Sequence, residues 1–191
     1  MPQLAHLIVG LGNPGEDYAR TRHNIGFRAV EALAEKTHCP AWKKKFKAQA
    51  TGTQDFLFLK PQTFMNLSGE AVGEAMRFYQ MSASQIIVFH DDLDLATGQV
   101  KVKQGGGSGG HNGLKSLDAH IGADYWRVRL GIGRPLTEQG LPVKGEPVTS
   151  YVLSPFSRTD QTWLEPLLDR LSGSFGLLQR GDYVAYGRSA S

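Results

Sequence analysis

Three short apolar runs, Leu7–Leu11, Phe56–Leu59 and Ile86–Phe89, each stop at polar or turn-forming residues. The stops are Gly12-Asn13-Pro14-Gly15, Lys60-Pro61 and His90-Asp91-Asp92. Runs of this length with such boundaries read as buried strands. Between them the apolar spacing is helical: Phe27, Val30, Leu33 and Ala34 mark one helix within Asn24–Thr37. A second helix spans Leu67–Tyr79, with Asn66 or Ser68 placed to cap it. Strands that alternate with helices leave one main solution, an α/β sheet covered on both faces. Further along, Val100 and Val102 alternate with Lys101 and Lys103, and Trp126, Val128, Leu130 and Ile132 alternate with Arg127 and Arg129. Strands with one polar face are not buried on both sides, so the sheet is expected to be mixed. Leu114–Ile121 and most of Thr159–Gln179 read as helices, the latter ending at Gly181. Residues 134–149, rich in Pro, Gly and charge, read as a mobile loop, and Lys43-Lys44-Lys45-Phe46-Lys47 as a solvated face.

The expected fold class is therefore α/β, a mixed β-sheet sandwiched between α-helices, in a single domain over residues 1–191. That length is enough for one real core. The charge is mildly basic, 21 Lys+Arg against 18 Asp+Glu, which permits a polyanionic partner without demanding one. No apolar run approaches the roughly 20 residues that span a bilayer, and the N-terminus lacks the pattern of a signal peptide. A lone Cys39 supports neither a disulfide framework nor a metal cluster. The expected setting is the cytoplasm, with no membrane partner.

In open α/β sheets, ligands bind outside the carboxyl ends of the strands. If the three apolar strands are parallel neighbours, Asn13, Asn66 and Asp91 converge on one crevice. The stretch Gly105–Gly113, six of whose nine residues are glycine, and Asn112 within it could wall that crevice. A flexible linker is also glycine-rich, but a linker is rarely bracketed by an alternating basic strand and an apolar-periodic helix. His23, just before the first helix, could reach the same place. A His beside a carboxylate forms a general-base pair: one ring nitrogen is held and the other is free to take a proton from water. Asparagines can donate to a carbonyl oxygen or accept from an amide without titrating. The start of a helix disfavours an imidazolium and Asp91 favours it, so the two influences on His23 oppose each other.

Three other motifs compete. Gly10-Leu11-Gly12-Asn13-Pro14-Gly15 matches the dinucleotide fingerprint, but the acidic residue some 20 positions on should end a second strand, and Glu31 and Glu35 lie in a helical pattern. A P-loop within residues 105–116 fails because Leu114 separates Gly113 from Lys115. His90, Asp91, Asp92 and Asp94 are dense enough to hold magnesium, but Asp92 and Asp94 read more simply as turn residues after the strand, so no metal is expected.

Taken in order, several segments resemble one family, the bacterial peptidyl-tRNA hydrolases. They are Ile8–Gly15, Tyr18 with Thr21–Asn24, Gln62–Gly69, His90–Leu95, Gly105–Lys115, Arg127–Gly133 and Tyr151–Phe156. The resemblance implies a monomeric, cytoplasmic esterase without cofactor or metal. It would cleave the ester between a peptide and the terminal ribose of a tRNA. By motif position His23 would be the general base and Asp91 its orienting partner. Asn13 would help separate N-blocked from free aminoacyl substrates. Tyr18, Phe64, Asn66 and Asn112 would contact the tRNA or the peptide end, and Lys101, Lys103 and Arg129 the phosphates of the acceptor arm. Read from the residues, Met65 could line a peptide groove or fill the core, Phe64 could anchor the core, and the Lys101/Lys103 and Arg127/Arg129 rows could follow a phosphate backbone or merely solubilise a surface. Two departures stand out. Leu95-Ala96-Thr97-Gly98 replaces a proline-rich turn, and the short segment between Lys47 and Phe56 is expected to trim a hairpin. The rival readings are a non-catalytic RNA-binding relative, a hydrolase of small esters or peptides, and, more remotely, a dinucleotide oxidoreductase.

Overall fold

The computed structural model describes residues 3–191. Seven strands form one sheet: β1 (His6–Gly10), β2 (Lys43–Lys45), β3 (Ala48–Gly52), β4 (Phe56–Pro61), β5 (Ile86–Asp92), β6 (Val100–Gln104) and β7 (Trp126–Gly131), in the order β2-β3-β4-β1-β5-β7-β6. The inner strands β4, β1, β5 and β7 are parallel. Both margins are antiparallel, so the sheet is mixed as the polar-faced strands require.

Alternate residues of each strand feed opposite faces. Ile8, Phe58, Ile87, Phe89, Val128 and Leu130 pack under α1 (Ile25–Lys36), α5 (Gln161–Gly173), α6 (Phe175–Gln179) and α7 (Tyr183–Ala190). Leu7, Val9, Leu59, Ile86 and Val88 pack under α2 (Ser68–Phe78) and α3 (Asn112–Ile121). The remaining helix, α4 (Glu146–Val152), has Pro147 in its first turn, a position where a missing N–H costs nothing.

Two glycines set the height of α1 above the sheet. A Cβ at Gly10 would lie 2.2 Å from the carbonyl oxygen of Gly26, and one at Gly26 would lie 2.3 Å from that of Phe89. Helix and strands therefore meet backbone to backbone, which seats the start of α1, and His23 just before it, against the end of β5. Gly10 of the fingerprint-like sequence serves this contact.

Several local expectations change. Lys43–Lys45 is an exposed edge strand, and lysines on an edge deter pairing with other chains. The Lys45 ammonium lies 4.7 Å from the ring centres of Phe46 and Phe78. The segment between Lys47 and Phe56 forms a short hairpin in which β3 pairs with β4 along its whole length. Neither Asn66 nor Ser68 caps α2; the Ser68 hydroxyl instead donates to the Met65 carbonyl at 2.8 Å. Residues 134–149 carry a bridge between Leu136 and Pro142 and then enter α4. The expected helix at 159–179 breaks at Ser174 into α5 and α6, and α7 follows after Gly181, whose φ is 76°.

Candidate active site

Because β4, β1 and β5 are parallel, their carboxyl ends open on one side. Asn13, the segment 62–66 and Asp91 meet there, as the strand pattern predicts. Asn13, residues 64–66 and Asp91 line a cavity of about 740 Å³ whose walls also include the glycine loop 105–110 and residues of α4.

His23 lies in a single 3₁₀ turn, Arg22–Asn24, that leads into α1. Its Nδ1 is 2.9 Å from Asp91 Oδ2, so Nε2 is the nitrogen left for the cavity. Burial pulls the His23 pKa down, but the charge of Asp91 and the hydrogen bond to it outweigh burial, and the net shift is upward. The contest between opposing influences is thus decided by the carboxylate. Arg22 fixes the turn from outside. Its guanidinium donates to Ser154 Oγ at 2.6 Å, to the Pro155 carbonyl at 2.9 Å and to Asp160 at 2.7 Å.

A second imidazole, absent from the sequence reading, completes the arrangement. His111 Nε2 is 2.8 Å from Asp91 Oδ1. His111 Nδ1 accepts from the backbone N–H groups of Gly113 and Leu114 at 3.1 and 3.3 Å, capping α3. A nitrogen that accepts two amide protons carries none itself. His111 is thereby held as the Nε2–H tautomer and donates to Asp91. Asp91 is buried between two imidazoles. Burial pushes its carboxyl pKa up, but the imidazoles of His23 and His111 on either side, with the hydrogen bonds they make to it, hold it well below the usual range. Beneath them His90 is fully enclosed. Burial and the neighbouring His111 lower its pKa to about 4, so its Nδ1–H donates to the Asp91 carbonyl at 2.8 Å as a neutral ring. The only hint of His111 in the sequence is its place one turn before the apolar periodicity of α3.

The asparagines divide into buried and exposed. Asn13 Oδ1 accepts from the Met65 N–H at 2.7 Å, which leaves its amide NH₂ as the part not spent on the protein. The Asn13 backbone is pinned on both sides by Asn24, another residue the sequence did not disclose. Asn24 Oδ1 accepts from the Asn13 N–H, and Asn24 Nδ2 donates to the Asn13 carbonyl, both at 2.9 Å. Asn66 and Asn112 stand exposed on the rim of the cavity. Phe64 is 56% exposed and meets Tyr18 edge-on, which removes the core-anchor reading for Phe64. Met65 does both things proposed for it: it is buried in the α2/α3 core and lines the cavity.

The basic rows are only partly available. Lys101 pairs across the strands with Arg129, and Lys103 with Arg127. Lys101 and Lys103 are exposed, and Lys103 lines the cavity with Arg129, whose Nε donates to Asp92 Oδ2 at 2.8 Å. Arg127 is 2% exposed and binds inward, donating to the carbonyls of Gly106 and Gly107 at 2.8 Å. The expectation of a second open basic row fails at Arg127 because the glycine loop uses its donors. Asp92 behaves as a turn residue: its Oδ1 accepts from the Asp94 N–H. The set with metal-ligand character is His23, Asp91 and His111, whose ligand atoms lie within 4.8 Å of one another. Each imidazole of this set already spends one ring nitrogen on a carboxylate oxygen of Asp91 at hydrogen-bond distance.

Comparison with known proteins places the chain in a family. The family model described as peptidyl-tRNA hydrolase matches residues 7–186. The chain is 52% identical to the peptidyl-tRNA hydrolase of Rhodospirillum centenum over 184 residues, 94% of this chain and 78% of that one. It is 51% identical to that of Chelativorans sp. over 189 residues, covering 97% and 76% of the two chains. Among solved structures, the peptidyl-tRNA hydrolase of Acinetobacter baumannii superposes with a TM-score of 0.87 at 36% identity, covering 98% of this chain and 96% of that one. A match that runs almost end to end in sequence and in fold shows that this chain belongs to the peptidyl-tRNA hydrolase family.

Proposed function

We propose that the chain hydrolyses the ester between the carboxyl group of a peptide, or of an N-blocked aminoacyl group, and the 3′-terminal ribose of a tRNA, returning the tRNA to translation. The observation that carries this reading is the 2.9 Å contact of His23 Nδ1 with a buried Asp91, which leaves Nε2 toward the cavity. His23 takes a proton from water there, and the hydroxide formed attacks the ester carbonyl. Asp91 holds the ring and stabilises the imidazolium. The Asn13 amide NH₂ faces the acyl group, where it can donate to the oxygen that gains charge and sense whether the α-nitrogen is acylated. The imidazolium then returns its proton to the departing ribose oxygen. Asn66 and Asn112 position the substrate from the rim without reading side chains. Tyr18, Phe64 and Met65 give the terminal nucleotide or the acyl chain apolar surface.

Lys101, Lys103 and Arg129 are proposed to meet acceptor-arm phosphates, which makes binding salt-sensitive. The reading has the chain act as a monomer in the cytoplasm; no helix among the described residues is long and apolar enough to cross a membrane. The test is release of tRNA from N-acetyl-aminoacyl-tRNA and from free-amine aminoacyl-tRNA, by wild type and His23→Ala. Rapid cleavage of the blocked substrate alone, abolished in the variant, is expected. A fully active His23→Ala protein would remove the base assignment.

A further inference from the structure

A second cavity, also about 740 Å³, lies on the α1 side of the sheet and shares Asn13 with the first. Its floor is Lys60, whose ammonium is buried against Glu31 at 2.7 Å and lies 4.3 Å from the centre of the Trp42 ring. Gln49 and Gln62 offer amides, and Phe27 and Phe156 offer apolar faces. Arg20 and Arg158 stand exposed at its edge, and among the described residues neither pairs with a carboxylate.

The sheet order gives this cavity a direction. Lys101, Lys103 and Arg129 belong to β6 and β7, at one end of the sheet, while Gln49 and Lys60 belong to β3 and β4, on the other side of β1. If tRNA phosphates lie over β6 and β7 and the ester lies at His23 and Asn13, the acyl chain departs toward β4. Resting on the proposed hydrolysis of peptidyl-tRNA, we infer that the second cavity receives the residues of the peptide upstream of the ester-linked one. A chain advancing about 3.3 Å per residue needs only a few residues past Asn13 to enter it. Amides interspersed with both signs of charge suit a peptide backbone and its side chains, whereas a phosphate backbone calls for an unbroken row of cations. The two unpaired arginines give this subsite a preference for acidic side chains.

The experiment compares three substrates on one tRNA: N-acetyl-aminoacyl-tRNA, and two acetylated tetrapeptidyl-tRNAs whose upstream residues are aspartate or lysine. Each is hydrolysed by wild type and by Arg20→Glu/Arg158→Glu, two exposed changes away from the catalytic crevice. Wild type is expected to show a KM several-fold lower for the aspartate peptide than for the lysine peptide. The double variant is expected to reverse that order while leaving the KM of the one-residue substrate unchanged. A KM that rises equally for all three substrates would mean the arginines hold tRNA, and unchanged values would mean the peptide leaves by another route; either overturns the inference. Failure of wild type to cleave even the one-residue substrate would instead overturn the proposed reaction, so the two readings fail separately.

Discussion

His111 joins two jobs that a substitution can separate. As cap, its Nδ1 satisfies two N–H groups of α3; as clamp, its Nε2–H holds a buried carboxylate oxygen. Asparagine is a good helix cap but is too short to span the cap and reach Asp91 as an imidazole does, so His111→Asn removes the clamp and keeps the cap. Loss of a hydrogen bond to a buried charged group costs about 1.5–3 kcal/mol. His111→Leu loses the cap as well, a further ~0.5–2 kcal/mol. For a chain of this size each kcal/mol moves the melting temperature by roughly 2–4 °C, so the asparagine variant should melt about 3–12 °C below wild type and the leucine variant lower still. Activity reports the electrostatics. With the His111 donor gone, Asp91 concentrates its charge on His23, whose pKa Asp91 already raises. The imidazole then stays protonated to higher pH, and the acid limb of kcat/KM against pH moves to higher pH in both variants. Stability runs the opposite way. The His23–Asp91 pair contributes most while His23 is protonated, and that contribution fades as pH rises through the raised folded-state pKa. An acid limb that stays in place, or moves to lower pH, in a folded His111→Asn protein would refute the clamp.

Lys103→Ala should raise KM more than it lowers kcat and should flatten the dependence of log KM on log salt, measured on N-acetyl-aminoacyl-tRNA between low and physiological ionic strength; the same salt slope in both proteins would count against phosphate contact. Gly26→Ala pushes a methyl group to 2.3 Å from the Phe89 carbonyl and 2.6 Å from the Leu11 nitrogen. Backbone atoms cannot step aside, so the loss should reach at least the 1–3 kcal/mol typical of overpacking, read by urea denaturation. A variant as stable as wild type would show that α1 does not sit on the sheet at backbone contact.

The central half of the fold was legible because unbroken apolar runs ending in polar residues admit few readings. That legibility extended to the crevice: three parallel strand ends bring Asn13, the 62–66 segment and Asp91 together, and α1 brings His23. What stayed hidden depends on contacts made across the fold. Strand β3, Ala48–Gly52, carries small and polar residues whose burial comes from β4 beside it, not from their own pattern. Helix α7 is short and mixed; Asp182 caps it, and its seat against β6, α5 and α6 completes it. Asn24 and His111 reveal their roles through hydrogen bonds to Asn13 and Asp91, 11 and 20 positions away.

Arg127 and Arg129 show where the limit lies. Both occupy the polar phase of one alternating strand and both border the cavity, yet Arg129 is partly exposed and Arg127 is buried. The difference originates in the glycine loop. Four of its glycines, 105, 106, 109 and 110, adopt positive φ, a geometry that a side chain would resist. Glycines bring no side-chain donors for the carbonyls that such a path turns inward, and a buried carbonyl without a donor is costly. The Arg127 guanidinium supplies the missing donors at Gly106 and Gly107 and is itself steadied by Asp118 at 3.3 Å and by the face of Tyr125, 4.5 Å away. The glycine run and the arginine, some 20 residues apart, are therefore one device. The run shapes the wall that leads to His111, and the arginine keeps that wall in place.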